Sequence, residues 1–93
     1  MTSKIVMPEA RAVVERFVES FNELRYRKLV KTKKEFCEAV GIITQSNFNR
    51  LIAEGSSNEP TITNIILLHQ KFNVSIEWLF LGKGEFIKGE NRK

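Results

Sequence analysis

The segment from residue 32 to residue 55 constrains the fold most strongly, because it holds two short apolar patterns on either side of Gly41. The apolar residues are Phe36, Cys37 and Val40 in the first pattern and Phe48, Leu51 and Ile52 in the second. Each set recurs at the spacing of one helix face. Two amphipathic helices with so short a connection must pack at a steep angle, which predicts a helix-turn-helix.

The ends of these two helices also have sequence signals. Thr32 precedes Glu35 by three residues, which predicts a reciprocal capping box at the start of the first helix. Gly41 suits the left-handed conformation that ends a helix. Thr44 can cap the second helix and Gly55 can end it, so we expect that helix over about 44–54.

A longer amphipathic helix is predicted before this segment. It opens at Pro8, and its apolar face comprises Ala10, Val14, Phe17, Val18, Phe21 and Leu24. The pattern breaks near Leu29 or Val30, where we expect the helix to end.

Two further helices are predicted after the segment. The first opens at Thr61 or Thr63 and contains Ile62, Ile65, Ile66, Leu68 and Phe72. Since it is apolar around much of its circumference, we expect it to be the most buried element. Asn73 can supply a left-handed cap, Ser75 starts a fifth helix through Trp78, and Gly82 and Gly84 close it. Phe86 and Ile87 are compatible with a short extended segment.

The chain length predicts one domain, and five predicted helices with no convincing strand make it all-α. The 93 residues contain one cysteine and one histidine, which provide neither an internal disulfide nor a metal cluster, so we expect no metal and no cofactor. We expect an N-terminal arm at 1–7, the domain at 8–87 and a flexible tail at 88–93. The start of the chain lacks the pattern of a signal peptide and no apolar run is long enough to span a bilayer, so the cytoplasm is the expected location.

Positive charge is concentrated at one place in the chain. The formal net charge is +4, and residues 25–34 contain no acidic residue. The basic residues of this run are Arg25, Arg27, Lys28, Lys31, Lys33 and Lys34. A basic cluster beside a predicted helix-turn-helix favours a polyanionic partner.

Three runs of the sequence carry a family resemblance: KEFCEAVGI, TQSNFNRLIAEG and PTITNIILLHQKFNVSIEWLFLGKGEF. In this order they resemble the Cro/repressor-type helix-turn-helix proteins of the Xre family, over about residues 24–86. The resemblance implies a five-helix, lambda-repressor-like DNA-binding domain whose third helix lies in the major groove while the second bridges the backbone. It also implies two half-sites and therefore a homodimer.

This chain departs from the family pattern at four places. Cys37 and His69 stand where the family usually has alanine, and the turn after Gly41 is one residue longer than usual. The loop SSNEP lacks the basic residue that often meets phosphate there.

The second helix of the motif has an outward edge suited to reading bases. The predicted base contacts are Gln45, Ser46, Asn47, Asn49 and Arg50, whose amide, hydroxyl and guanidinium groups match base edges. The predicted phosphate contacts are Thr32, Lys33, Lys34 and Thr44. Together with the resemblance, these residues predict a sequence-specific transcriptional regulator that binds double-stranded DNA, and we expect it to be a repressor.

Two other kinds of function remain open from the sequence. A protein-interaction module could use the same scaffold without binding DNA, and an antitoxin could bind both DNA and a protein partner. An apolar remainder around Phe80, Phe86 and Ile87 suits self-association. An enzyme is the least favoured class, because the chain lacks a nucleophile–base signature, a phosphate loop and metal-ligand spacing.

Overall fold

The part of the chain that the structure describes folds into five α-helices. A computed structural model describes residues 8–42, 44–53 and 58–88. The helices are α1 (Pro8–Tyr26), α2 (Lys33–Val40), α3 (Gln45–Ile52), α4 (Ile62–Phe72) and α5 (Ile76–Leu81). Within those residues the only extended pairing is an isolated antiparallel bridge between Val74 and Ile87. The predicted all-α class is therefore confirmed, whereas the predicted arm at 1–7, nearly all of the tail and the cap at Gly55 lie outside the described residues.

Helix α1 ends earlier than predicted. Its last residue is Tyr26, and Lys28 takes a left-handed conformation with φ of 65°. The backbone N–H of Leu29 then donates to the carbonyl of Leu24 at 2.8 Å, which closes the end of the helix. This reversal places Val30 in the core, so the prediction of an end at Leu29 or Val30 was wrong because tertiary packing turns the chain sooner.

Most of the predicted caps are present. The hydroxyls of Thr32, Thr44, Thr61 and Ser75 each accept an N–H from the first turn of the following helix. Gly41, Asn73 and Gly82 end their helices in the left-handed region. The box at Thr32 is only half formed, because the Glu35 carboxylate accepts the N–H of Lys31 at 2.7 Å instead of the N–H of Thr32.

Phe36 of α2 is the centre of an aromatic core. Its ring centroid lies 5.9 Å from that of Phe17, 5.4 Å from Phe21, 5.5 Å from Phe48 and 6.5 Å from Phe72. These rings come from α1, α3 and α4, so one side chain of α2 contacts three other helices. Three of these contacts are edge-on or tilted and the one with Phe72 is stacked, and such ring contacts stabilise the fold beyond the burial of apolar area.

Helix α4 is less buried than its composition predicts. Ile62 is 77% exposed and Ile66 is 47% exposed, whereas the buried residues of α4 are Asn64 and Leu68. The helix packs mainly against α2. Only one of its faces therefore contacts the core of this small domain. The prediction that α4 is the most buried element was therefore wrong.

A buried amide joins α4 to the turn after α2. The Asn64 side chain donates from Nδ2 to the carbonyl of Val40 at 2.7 Å and accepts the N–H of Thr61 at its Oδ1 at 2.8 Å. Gly41 lies beside this contact with φ of 80°, and a Cβ there would meet Leu67 at 3.1 Å. Asn64 thus fixes the position at which the chain leaves α2 and approaches α3.

Candidate nucleic-acid interface

Helix α3 presents a polar face to solvent and an apolar face to the core. Phe48 and Leu51 are buried. The exposed residues include all five predicted base contacts, Gln45, Ser46, Asn47, Asn49 and Arg50. We call these five residues the α3 polar row.

The length of α3 and the burial of one residue differ from prediction. The helix ends at Ile52, because Ala53 is extended with φ of −65° and ψ of 135°. Ile52 is 42% exposed, so its assignment to the inner face was wrong. The apolar face of α3 is narrower than predicted, because Phe48 and Leu51 alone of that set reach the aromatic core.

Three kinds of contact hold α3 in place. Thr44 caps its first turn by accepting the N–H of Asn47 at 3.1 Å. The ring of Phe48 packs edge-on against Phe21 with centroids 5.6 Å apart. At the other end, the guanidinium of Arg11 donates to the carbonyl of Leu51 at 3.2 Å. Both ends and the middle of α3 are therefore fixed, and α1 supplies two of the three contacts.

The structure joins two predicted site residues that lie 16 positions apart. The Lys33 ammonium, at the start of α2, donates to Oδ1 of Asn49 on α3 at 2.9 Å. The same nitrogen lies 5.9 Å from the centroid of the Phe48 ring. The sequence indicates neither contact, because both depend on the way in which α2 crosses α3.

The other predicted phosphate contacts lie in the same region and are exposed. Lys34 follows Lys33 in the first turn of α2, and its side chain makes no hydrogen bond or ion pair with the rest of the described chain. Thr32 and Thr44 use their hydroxyl oxygens to cap helices. Each hydroxyl keeps a hydrogen that can be donated to an anion.

Apart from Lys33 and Lys34, the basic residues of the run 25–34 divide into two groups. Arg27 is tied to the fold, because its Nε lies 3.5 Å from the Glu23 carboxylate and its guanidinium stacks 5.2 Å from the Phe86 ring centroid. Arg25, Lys28 and Lys31 are exposed and line a cleft of about 310 Å³. Three cations of the run therefore face solvent around one cleft.

Cys37 and His69 both pack within the fold. Burial raises the pKa of the Cys37 thiol, and the nearby Lys33 charge opposes that rise. The His69 ring is half-buried, with Nδ1 2.9 Å from the carbonyl of Val74, so Nδ1 must carry a hydrogen to make this bond. No group of three metal-ligating side chains occurs within the described ranges.

The exposed apolar surface matches the prediction at Phe80 but not at Phe86, and Ile87 is partly buried against the core. Phe86 is only 8% exposed, and its ring packs edge-on against Trp78 with centroids 4.8 Å apart. The suggestion that Phe86 is part of an exposed apolar remainder was therefore wrong. Phe80 and Leu81 are exposed and line a groove of about 400 Å³ with Ala10, Val13 and Ile65. We call this the α1–α5 groove.

None of the described helices has the length and apolar character needed to cross a bilayer. Comparison of the chain with protein-family models, with curated proteins and with solved structures finds no match. The resemblance stated from the sequence therefore stays a prediction.

Proposed function

We propose that the chain is a sequence-specific regulator that binds double-stranded DNA, with α2 and α3 as a helix-turn-helix and α3 in the major groove. The observation on which this depends is the α3 polar row. Its five side chains are exposed on one rigidly held helix, and no acidic residue occurs between Gln45 and Ile52. Amide and guanidinium groups in such a row match the hydrogen-bonding groups of base edges.

Charge around the row supports the same proposal. Lys34 lies at the first turn of α2, where the exposed N–H groups already favour an anion. The hydroxyls of Thr32 and Thr44 lie at the N-terminal ends of α2 and α3. A phosphate backbone that crosses these two ends would offset the unfavourable placement of lysines at a helix start. Arg25, Lys28 and Lys31 extend the positive surface.

The proposed regulator acts as a homodimer. A single helix of this length contacts few base pairs, and two copies read two half-sites about one helical turn apart. The α1–α5 groove offers apolar surface for the contact between copies, because Phe80 and Leu81 are exposed there.

The salt dependence of duplex binding tests the proposal. Fluorescence anisotropy of a labelled duplex should show log K falling linearly with log salt concentration, since cationic side chains displace counterions from DNA. Lys34→Met should make the slope shallower by about 1 and weaken all duplexes alike. Arg50→Ala should instead reduce the preference between sequences. Equal effects of the two substitutions on preferred and random duplexes would contradict these assigned roles.

A protein-interaction module is the second candidate, and one observation favours it. The α1–α5 groove and the exposed Ile62 and Ile66 form apolar surface that DNA binding through the α3 polar row would not use. A module of this kind would bind its partner with little salt dependence and would lose binding when Leu81 is made charged. An antitoxin would show both behaviours at separate surfaces.

A further inference from the structure

The contact between Lys33 and Asn49 determines which atoms of Asn49 are free to meet a base. An ammonium group has only donors, so the side-chain oxygen of Asn49 must face it, as the 2.9 Å contact shows. The NH₂ group of Asn49 is then left as the outward part of the amide. Asn49 is exposed, so this NH₂ is open to a ligand.

A contact with an aromatic ring holds Lys33 in this position in addition to its hydrogen bond with Asn49. Its ammonium nitrogen lies 5.9 Å from the Phe48 ring centroid, and Phe48 is completely buried. Lys33 itself is only partly exposed, unlike Lys34. The ammonium is therefore set between a buried ring and the amide, whereas a lysine used for phosphate would extend into solvent.

Free asparagine and asparagine bound to Lys33 prefer different bases. A free amide pairs with adenine through two hydrogen bonds, because its oxygen accepts from N6 and its nitrogen donates to N7. When Lys33 donates to the oxygen, one lone pair of that oxygen is used, and the cationic ammonium beside it adds further donors that oppose the N6 amino group of adenine. Guanine offers two acceptors in the major groove, O6 and N7, and is the base that matches such a surface.

We propose that Lys33 is a specificity-determining residue that sets Asn49 to select guanine over adenine at one position of the DNA site. Lys33 acts through Asn49 and its ammonium, and it is not one of the phosphate contacts. The inference rests on the proposed DNA-binding function.

Selection of preferred sites from a random duplex pool tests the proposal with three variants. Asn49→Ala identifies the position that Asn49 reads, because preference at that position relaxes. Lys33→Met keeps an apolar stem beside Phe48 but removes the ammonium, so no cationic donor lies beside the Asn49 oxygen. The preference at that position should then change from guanine to adenine, by about 5-fold to 150-fold in relative affinity.

Lys34→Met is the matched control, because it removes one positive charge from the adjacent residue and leaves the Lys33–Asn49 contact intact. It should weaken binding without changing the base preferred at any position. Four results would each overturn this inference without overturning the proposed function. They are selection of adenine by the unsubstituted protein, no relaxed position in Asn49→Ala, retention of guanine in Lys33→Met, and the same change of preference in both lysine variants. Absence of any enriched site with the unsubstituted protein would overturn the proposed function together with it.

Discussion

At the scale of single residues, the most consequential side chain outside the α3 polar row is Asn64. It satisfies the carbonyl of Val40 and the N–H of Thr61 from a buried position. A buried polar group that loses its partner costs about 1–3 kcal/mol of stability. Asn64 therefore fixes the geometry of the turn between α2 and α3 as well as the start of α4.

Asn64→Ala should lower the free energy of unfolding by about 1–3 kcal/mol, because both backbone groups would lose this side chain as a partner. Urea denaturation measures the change. Gln70→Ala is the control, since Gln70 is exposed on the same helix and should change stability by less than about 0.5 kcal/mol. Equal stability of the two variants would contradict the role given to Asn64.

The Cys37 thiol should react slowly in the folded protein. Burial raises its pKa, so little thiolate is present near neutral pH and the side chain is shielded from reagents. A thiol whose pKa is higher in the folded than in the unfolded state stabilises the fold fully below the unfolded pKa, and this contribution falls as pH rises through the folded pKa.

Iodoacetamide labelling followed by mass spectrometry measures the reactivity of Cys37. Labelling should be slow in buffer and fast in urea. Labelling at the same rate in both conditions would show that Cys37 is not packed in the core.

At the scale of helices, α1 donates hydrogen bonds to the C-terminal ends of two other helices, α3 and α5. Arg11 donates to the carbonyl of Leu51 in α3, and Arg16 donates to the carbonyls of Leu79 and Phe80 in α5 at 2.7 and 3.0 Å. Positive charge at these ends also suits the negative end of the helix dipole. The orientation of α3 is thus coupled to α1 through Arg11 as well as through the ring contact of Phe21 with Phe48.

Arg11→Met should loosen α3 and leave α5 unchanged, because the substitution removes the donor to Leu51 while an apolar stem remains. Arg16→Met should do the reverse. Amide hydrogen exchange followed by NMR measures both: exchange should quicken in α3 for the first variant and in α5 for the second. If Arg11→Met left the exchange of α3 amides unchanged, this contact would not hold the helix.

The sequence predicts helix ends better than it predicts burial. Caps at Thr44, Asn73 and Ser75 depend on residues within one turn, and these predictions are confirmed. The exposure of Ile62 depends on which face of α4 meets α2, and the burial of Phe86 depends on Trp78 and Arg27. Local chemistry does not encode such contacts between distant segments.

The candidate site also has one feature that the sequence predicts and one that it does not. The exposure of the α3 polar row follows from the helical spacing of Phe48 and Leu51, so the sequence predicts it. The contact of Lys33 with Asn49 spans two helices and was not predicted.

At the scale of the whole molecule, the polar row on α3 and the α1–α5 groove give the protein two chemically different surfaces. The first has amide, hydroxyl and guanidinium groups, and the second is mostly apolar. A dimer that covers the second surface and binds DNA with the first would use both.

Leu81→Asp should weaken self-association, because a carboxylate in the α1–α5 groove would be buried without a partner in the dimer. Sedimentation equilibrium over a range of concentrations measures the effect. Tyr26→Asp is the control, since Tyr26 is exposed but does not line the groove. A monomer mass for the unsubstituted protein at every concentration would exclude the proposed dimer.

The position of bound DNA on the protein tests the central proposal most directly. NMR titration of the labelled protein with its selected duplex should shift the amide signals of residues 45–50 and 32–34, and it should leave those around Ile66 and Glu77 unchanged. Shifts confined to α4 and α5, with the α3 signals unmoved, would contradict the proposal that α3 reads DNA.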